Sequence, residues 1–142
     1  MALLHWSEAL ELGVEKMDDT HREFVAQLNA LGDAPDAAML EGLDAFIAHT
    51  EAHFAQEREW MTDGTYGHSH CHLEEHEGVL GIMREVRGMV AGGQVELGRV
   101  LVRELAPWFT NHAATMDAML ALYLQGGDTS GQCGSCVERK SE

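Results

Sequence analysis

Four long segments of this chain repeat apolar residues at helical spacing between glycine and proline breaks, and no stretch alternates strictly enough to argue for a strand. The pattern predicts an all-α protein. The first helix is expected to begin near Asp18 or Asp19, either of which can act as N-cap, and to carry Phe24, Val25, Leu28 and Leu31 on one face before Gly32. An extended arm containing Trp6 precedes it. The second helix should start around Pro35 and Asp36, because proline fits a first turn. It runs to about Met61 with Phe46, Thr50, His53, Glu57, Trp60 and Met61 along one stripe, and Gly64 and Gly67 mark its end. The third begins near Ser69 to His72, continues through Val79, Leu80, Met83, Val86 and Val90, and stops at Gly92 and Gly93. The fourth runs from about Gln94 to Leu124, with Pro107 inside it expected to remove a backbone hydrogen bond and kink it. Short connections then imply an up-down-up-down four-helix bundle over residues 1–125. Residues 126–142 have the Gly, Ser and charged composition of a flexible tail.

Onto those helices fall histidines as numerous as lysine and arginine together, nine of each. In HFAQE, His53 and Glu57 are four apart, about 40° around the helix axis and one turn along it, so both project to one spot on the stripe expected to face the core. HLEEH does the same for His72 and His76. NHAATMD sets His112 and Asp117 five apart, about 140° around an α-helix, so Asp117 is expected to reach in from the flank. His21 lies on the side of Phe24, Val25 and Leu28. Each helix therefore aims imidazole or carboxylate at the interior, where unpaired polar groups are costly and need a shared partner. Five imidazoles and two carboxylates form an N and O donor set suited to first-row transition ions. Seven donors exceed the needs of one ion and match two ions bridged by carboxylates. Donor type alone leaves iron, manganese and zinc open.

Composition narrows the partners. With 24 acidic against 9 basic residues, the net charge of -15 repels phosphate backbones and anionic membrane surfaces, so neither nucleic acid nor membrane is an expected partner. The start, MALLHWSEALELG, lacks a basic segment ahead of its apolar residues, and no later run is long enough to span a bilayer. A monomer in the cytoplasm is the expectation. Three cysteines, Cys71 alone and Cys133 and Cys136 in CGSC, do not form a secreted disulfide framework. Cys71 is expected to be inert. CGSC reads as a flexible reduced tail, with a redox-switched disulfide or a metal site shared between chains as sharper alternatives.

The segments WSEALELGVEKMDDTH, HFAQEREWM, GTYGHSHCHLEEH and WFTNHAATMD, in this order and spacing, resemble the hemerythrin family, and more closely its bacterial single-domain members, over roughly residues 6 to 124. The resemblance implies a di-iron centre with an oxo or hydroxo bridge. His72, His76 and His112 would hold one iron and His21 and His53 the other, with Glu57 and Asp117 bridging. Dioxygen would bind reversibly and end-on at the iron held by His21 and His53. Storage, delivery or buffering of dioxygen, without catalysis, is the implied role, and an oxygen-consuming enzyme or a redox partner reached through the tail the implied recipient. A di-iron oxidase or peroxidase, a nitric oxide scavenger and a sensor module stand as rivals. Arg58 and Gly67 depart from the family's usual glutamate and proline at non-ligand positions. His49, where the family often has tyrosine, is either a packed core residue or a proton donor near the oxygen pocket. His5, His68 and His70 are expected at the surface, although His68 also offers a competing HxxxH register with His72.

Overall fold

The computed structural model describes residues 3–62 and 66–127. Its helices are α1 (Glu15–Gly32), α2 (Met39–Thr62), α3 (Ser69–Ala91), α4 (Val95–His112) and α5 (Ala118–Leu124), the last two joined end to end by a π-helical turn, Ala113–Asp117. No strand occurs among the described residues. α1 packs on α2 and α4, and α3 on α2 and α4, so neighbours in sequence are neighbours in space and the four rods close into a four-helix bundle. Gly64 and residues 128–142, where CGSC falls, lie outside the described residues.

α1 starts three residues earlier than the sequence suggests. Asp18 is not its N-cap: the carboxylate sits inside the first turn, buried, and reaches back to accept the backbone N–H groups of Leu12 (2.8 Å) and Gly13 (3.1 Å). It therefore fixes the arm's approach to the helix rather than the helix's own first amides. Gly13, at φ +88, makes the turn that this requires. The arm is tied again where Asn29 accepts from the amides of Leu3 and Leu4 and donates to the Leu4 carbonyl. A third tie is Gln125 beyond α5, which donates to the Leu12 carbonyl at 2.7 Å.

Pro35 is extended and precedes a 3-10 turn, Asp36–Ala38, before α2 proper. α3 ends at Gly93, whose φ of +102 lets the Gln94 amide donate back to the Met89 carbonyl. α4 continues as α-helix through Pro107, and residues 113–117 widen into a π turn.

The apolar interior is divided. A large cluster, including Phe24, Leu28, Leu43, Phe46, Leu80 and Phe109, fills most of the bundle. A smaller one of Met17, Met61, Tyr66, Leu120 and Ala121 closes the end where α2 meets α3. Read along each rod, the polar residues fall between the two: His21 between Met17 and Phe24, Glu57 between Phe46 and Met61, Asp117 between Phe109 and Leu120.

Candidate metal centre

All seven predicted donors, His21, His53, Glu57, His72, His76, His112 and Asp117, are buried, and the structure brings them together between the two apolar clusters. They form two overlapping groups, each with its donor atoms within 4.8 Å of one another. One holds His72, His76, His112, Glu57 and Asp117; the other holds His21, His53 and the same two carboxylates.

The carboxylates divide their oxygens between the groups. Glu57 Oε1 lies 3.2 Å from His72 Nε2 and 3.3 Å from His76 Nε2, while its Oε2 lies 2.9 Å from His53 Nε2 and 3.7 Å from His21 Nε2. Asp117 repeats the pattern: Oδ1 is 3.0 Å from His72 and 3.1 Å from His112, and Oδ2 is 3.1 Å from His21. One oxygen of each carboxylate thus faces each group.

Whether cations fit there is decided by the angles. Both oxygens of Glu57 and of Asp117, and the Nε2 atoms of His21 and His72, are buried without a properly directed hydrogen bond, although each lies within a few ångströms of the others. Lone pairs that converge on common points instead of on each other's protons are what coordination requires, and burying so many without a partner would be costly. His76 Nε2 and His112 Nε2 face each other at 3.2 Å, an opposition that a cation between donors relieves. The donor set fits two ions of the imidazole-binding, carboxylate-binding kind.

Local structure explains the one spacing that looked loose. On an α-helix, residues five apart diverge by about 140°. The π turn, with its i→i+5 hydrogen bonding, brings Asp117 to the face of His112, and so the carboxylate enters with the ring rather than from the flank.

As protein groups alone, these residues are strongly coupled. For His112 burial pulls the pKa down, but the nearby Asp117 charge and the hydrogen bond to Glu75 outweigh it and raise it to about 10. His21 follows the same logic, burial being overcome by Asp117 and Glu57, and rises to about 9. His76 goes the other way, to about 4, because burial is only partly offset by Glu57 and the rings of His72 and His112 oppose a further charge. Burial pushes the carboxyls of Glu57 and Asp117 upward, with the Glu57 charge adding to it for Asp117, yet the surrounding imidazoles hold both well below the usual carboxylate range.

The family model described as hemerythrin HHE cation binding domain matches residues 12–124. The chain belongs to the hemerythrin family. It is 48% identical over 124 residues to a bacteriohemerythrin of Ralstonia nicotianae, covering 87% of this chain and 90% of that protein. A bacteriohemerythrin of Pseudomonas aeruginosa is 32% identical over 122 residues, 83% of this chain and 79% of that one. A myohemerythrin of Theromyzon tessulatum is 25% identical over 112 residues, 79% of this chain and 86% of its own length.

The walls of this hemerythrin centre are aromatic. Phe109 meets the His21 ring edge-on at 5.2 Å and stacks on Phe24 at 4.5 Å, with Phe46 beyond at 5.0 Å. Phe54 lies parallel to His76 with ring centroids 3.6 Å apart. Thr50 is fully buried, and its hydroxyl donates to the Phe46 carbonyl at 2.8 Å.

Two residues that sequence reasoning passed over hold His112. Glu75 Oε1 accepts from His112 Nδ1 at 2.8 Å, and Trp108, one turn earlier on α4, stacks on the imidazole at 4.7 Å. Their only sequence signal is position: Glu75 stands three after His72 and Trp108 four before His112, both neighbours on a helical surface.

His49 is half-buried and outside both donor groups: its Nε2 lies 2.9 Å from the exposed carboxylate of Glu23 on α1, while its Nδ1 is buried without a hydrogen-bond partner among the described residues. His70 pairs with Glu74 and is exposed, His5 is exposed, and His68 packs near Tyr66 outside both donor groups. Cys71 is buried against Met116 and lies outside both donor groups. Cys133 and Cys136 lie outside the described residues. No helix among the described residues is long and apolar enough to cross a membrane.

Proposed function

We propose that this chain is a non-heme di-iron protein that binds dioxygen reversibly, for storage, delivery or buffering, and is not an enzyme. In this reading His72, His76 and His112 hold one iron, His21 and His53 the other, and Glu57 and Asp117 bridge them. The observation that carries it is the division of the two carboxylates, one oxygen of each toward each histidine group, with one group a histidine short. That shortfall leaves room for a small ligand on the side of His21 and His53. Iron bound there would supply the electrons and the open position that dioxygen needs.

The chain's own residues would then decide whether binding stays reversible. Phe24, Phe46 and Phe109 exclude water beside His21, and the buried Thr50 hydroxyl is engaged by the Phe46 carbonyl. His49, the proton donor that would favour oxidase or peroxidase chemistry, lies outside both donor groups with its Nε2 on Glu23, which supports binding over turnover. An oxygen-consuming enzyme or a redox partner is the fitting recipient.

Stopped-flow mixing of reduced, iron-loaded protein with dioxygen tests the reading. A long-lived coloured adduct that bleaches on removing oxygen is expected. Rapid conversion to oxidised protein with sustained product formation would transfer the assignment to a di-iron oxidase.

A further inference from the structure

We propose that Glu75 is a positioning residue for the metal centre: its carboxylate holds the His112 imidazole with Nδ1–H turned to α3 and Nε2 turned to the donor group, and strengthens His112 as a donor. The inference rests on the di-iron reading above and extends it to a residue outside the seven donors.

His112 differs from His21, His72 and His76 in its second nitrogen. Nδ1 of His21, of His72 and of His76 is buried without a hydrogen-bond partner among the described residues, whereas Nδ1 of His112 lies 2.8 Å from Glu75 Oε1. A hydrogen bond to an ionised carboxylate is stronger than one to a neutral acceptor and settles which ring nitrogen carries the proton. The bare nitrogen is then Nε2, the atom 3.1 Å from Asp117 Oδ1 within the five-residue donor group. Trp108 restricts the ring further by lying nearly parallel to it, at 13°. Rotation about the side chain is thus opposed by a stack on one face and a directed hydrogen bond at one edge.

Placement on α3 makes this economical. His72 and His76 point inward one turn apart, and Glu75, beside His76, faces across to α4, so one helix supplies two donors and the support for a third. Its side chain is 19% exposed against 2% for His112, so the carboxylate keeps some contact with water while the ring it orients is dry. A carboxylate polarising Nδ1–H raises the electron-donating power of Nε2, which favours the more oxidised state of the ion held there.

The test compares wild type, Glu75→Gln and Glu75→Leu. Long-range proton–nitrogen NMR on zinc-loaded protein reads the His112 tautomer, chelator competition reads iron affinity, and potentiometry reads the midpoint of the iron-loaded centre. Glu75→Leu should lose the fixed Nδ1–H signature and bind iron roughly 10- to 100-fold more weakly. Glu75→Gln keeps an acceptor and should restore affinity to near wild type, while its midpoint moves to higher potential because the charge is gone. A folded Glu75→Leu protein with wild-type tautomer, affinity and potential would overturn the role of Glu75. Should that variant not fold, an unshifted potential in Glu75→Gln would do the same. Wild-type protein that fails to take up two irons per chain would instead overturn the di-iron reading itself.

Discussion

His112 Nε2 and Asp117 Oδ1 stand 3.1 Å apart across a single π-helical turn, so two residues that an α-helix would separate act on one point. The turn absorbs one extra residue without rotating α5. Deleting exposed Ala114 should therefore restore a plain α-helix, put the histidine and aspartate four apart, and preserve both donor groups. Metal analysis of that deletion should still find two ions per chain. A drop to one would show that the wide turn supplies reach as well as register.

Glu57 belongs to both donor groups, which distinguishes it from any single histidine. Glu57→Ala should cost the protein both ions, whereas His53→Ala removes a donor from one group only. Loss of metal should also erase the gap in melting temperature between loaded and chelator-treated protein, because binding energy is folding energy at such a site. Calorimetry with and without chelator checks this.

Acidity should act on metal uptake and on the apoprotein with different signs. His21 and His112 have folded-state pKa values of about 9 and about 10, above the ordinary 6.5, so the stability they contribute is complete below pH 6.5 and is lost as pH rises through those values. His76, at about 4, contributes stability above pH 6.5 that is lost as pH falls toward 4, and Glu57 and Asp117 lose theirs at still lower pH. Apoprotein denaturation midpoints should therefore peak near neutrality and fall on both sides. Metal must displace protons from His21 and His112, so zinc or iron affinity should climb steadily from about pH 6 to about pH 9 with protons released on binding. A pH-independent affinity would contradict this.

The aromatic wall can be opened selectively. Phe109→Ala removes the ring against His21 and Phe24 and should cost about 3–5 kcal/mol of stability. It should also shorten the lifetime of a bound dioxygen adduct by admitting water. Thr50→Val removes only a hydroxyl bonded to a carbonyl in its own helix, and should change stability by about 1 kcal/mol with the adduct lifetime retained. Denaturation curves and adduct decay, measured on both variants, separate the two effects.

The bundle and the meeting of seven buried histidine and carboxylate side chains were legible because such groups at positions of an apolar stripe stand out against it: His21 beside Phe24, His53 and Glu57 between Phe46 and Met61. What escaped was geometry that composition does not encode. The π turn leaves no mark in NHAATMD, because a widened turn depends on tertiary contacts rather than on local propensity. Nothing in the sequence sets Glu75 apart from the other 23 acidic residues, and only the packing of α3 on α4 sets it against His112. The start of α1 was misplaced because a buried aspartate in a first turn serves the preceding loop as readily as the helix end. His49 needed Glu23 of another helix to fix its direction.

Sealing a polar centre between two oily plugs of unequal size sets how fast its contents can leave. The plug of Met17, Met61, Tyr66, Leu120 and Ala121 is the thinner, so ion exchange should proceed by fraying of the rods at that end and not by diffusion through a rigid wall. Residence time would then be a property of helix-end breathing. Amide exchange of α5 and the end of α2 should keep pace with the rate at which a chelator strips the protein.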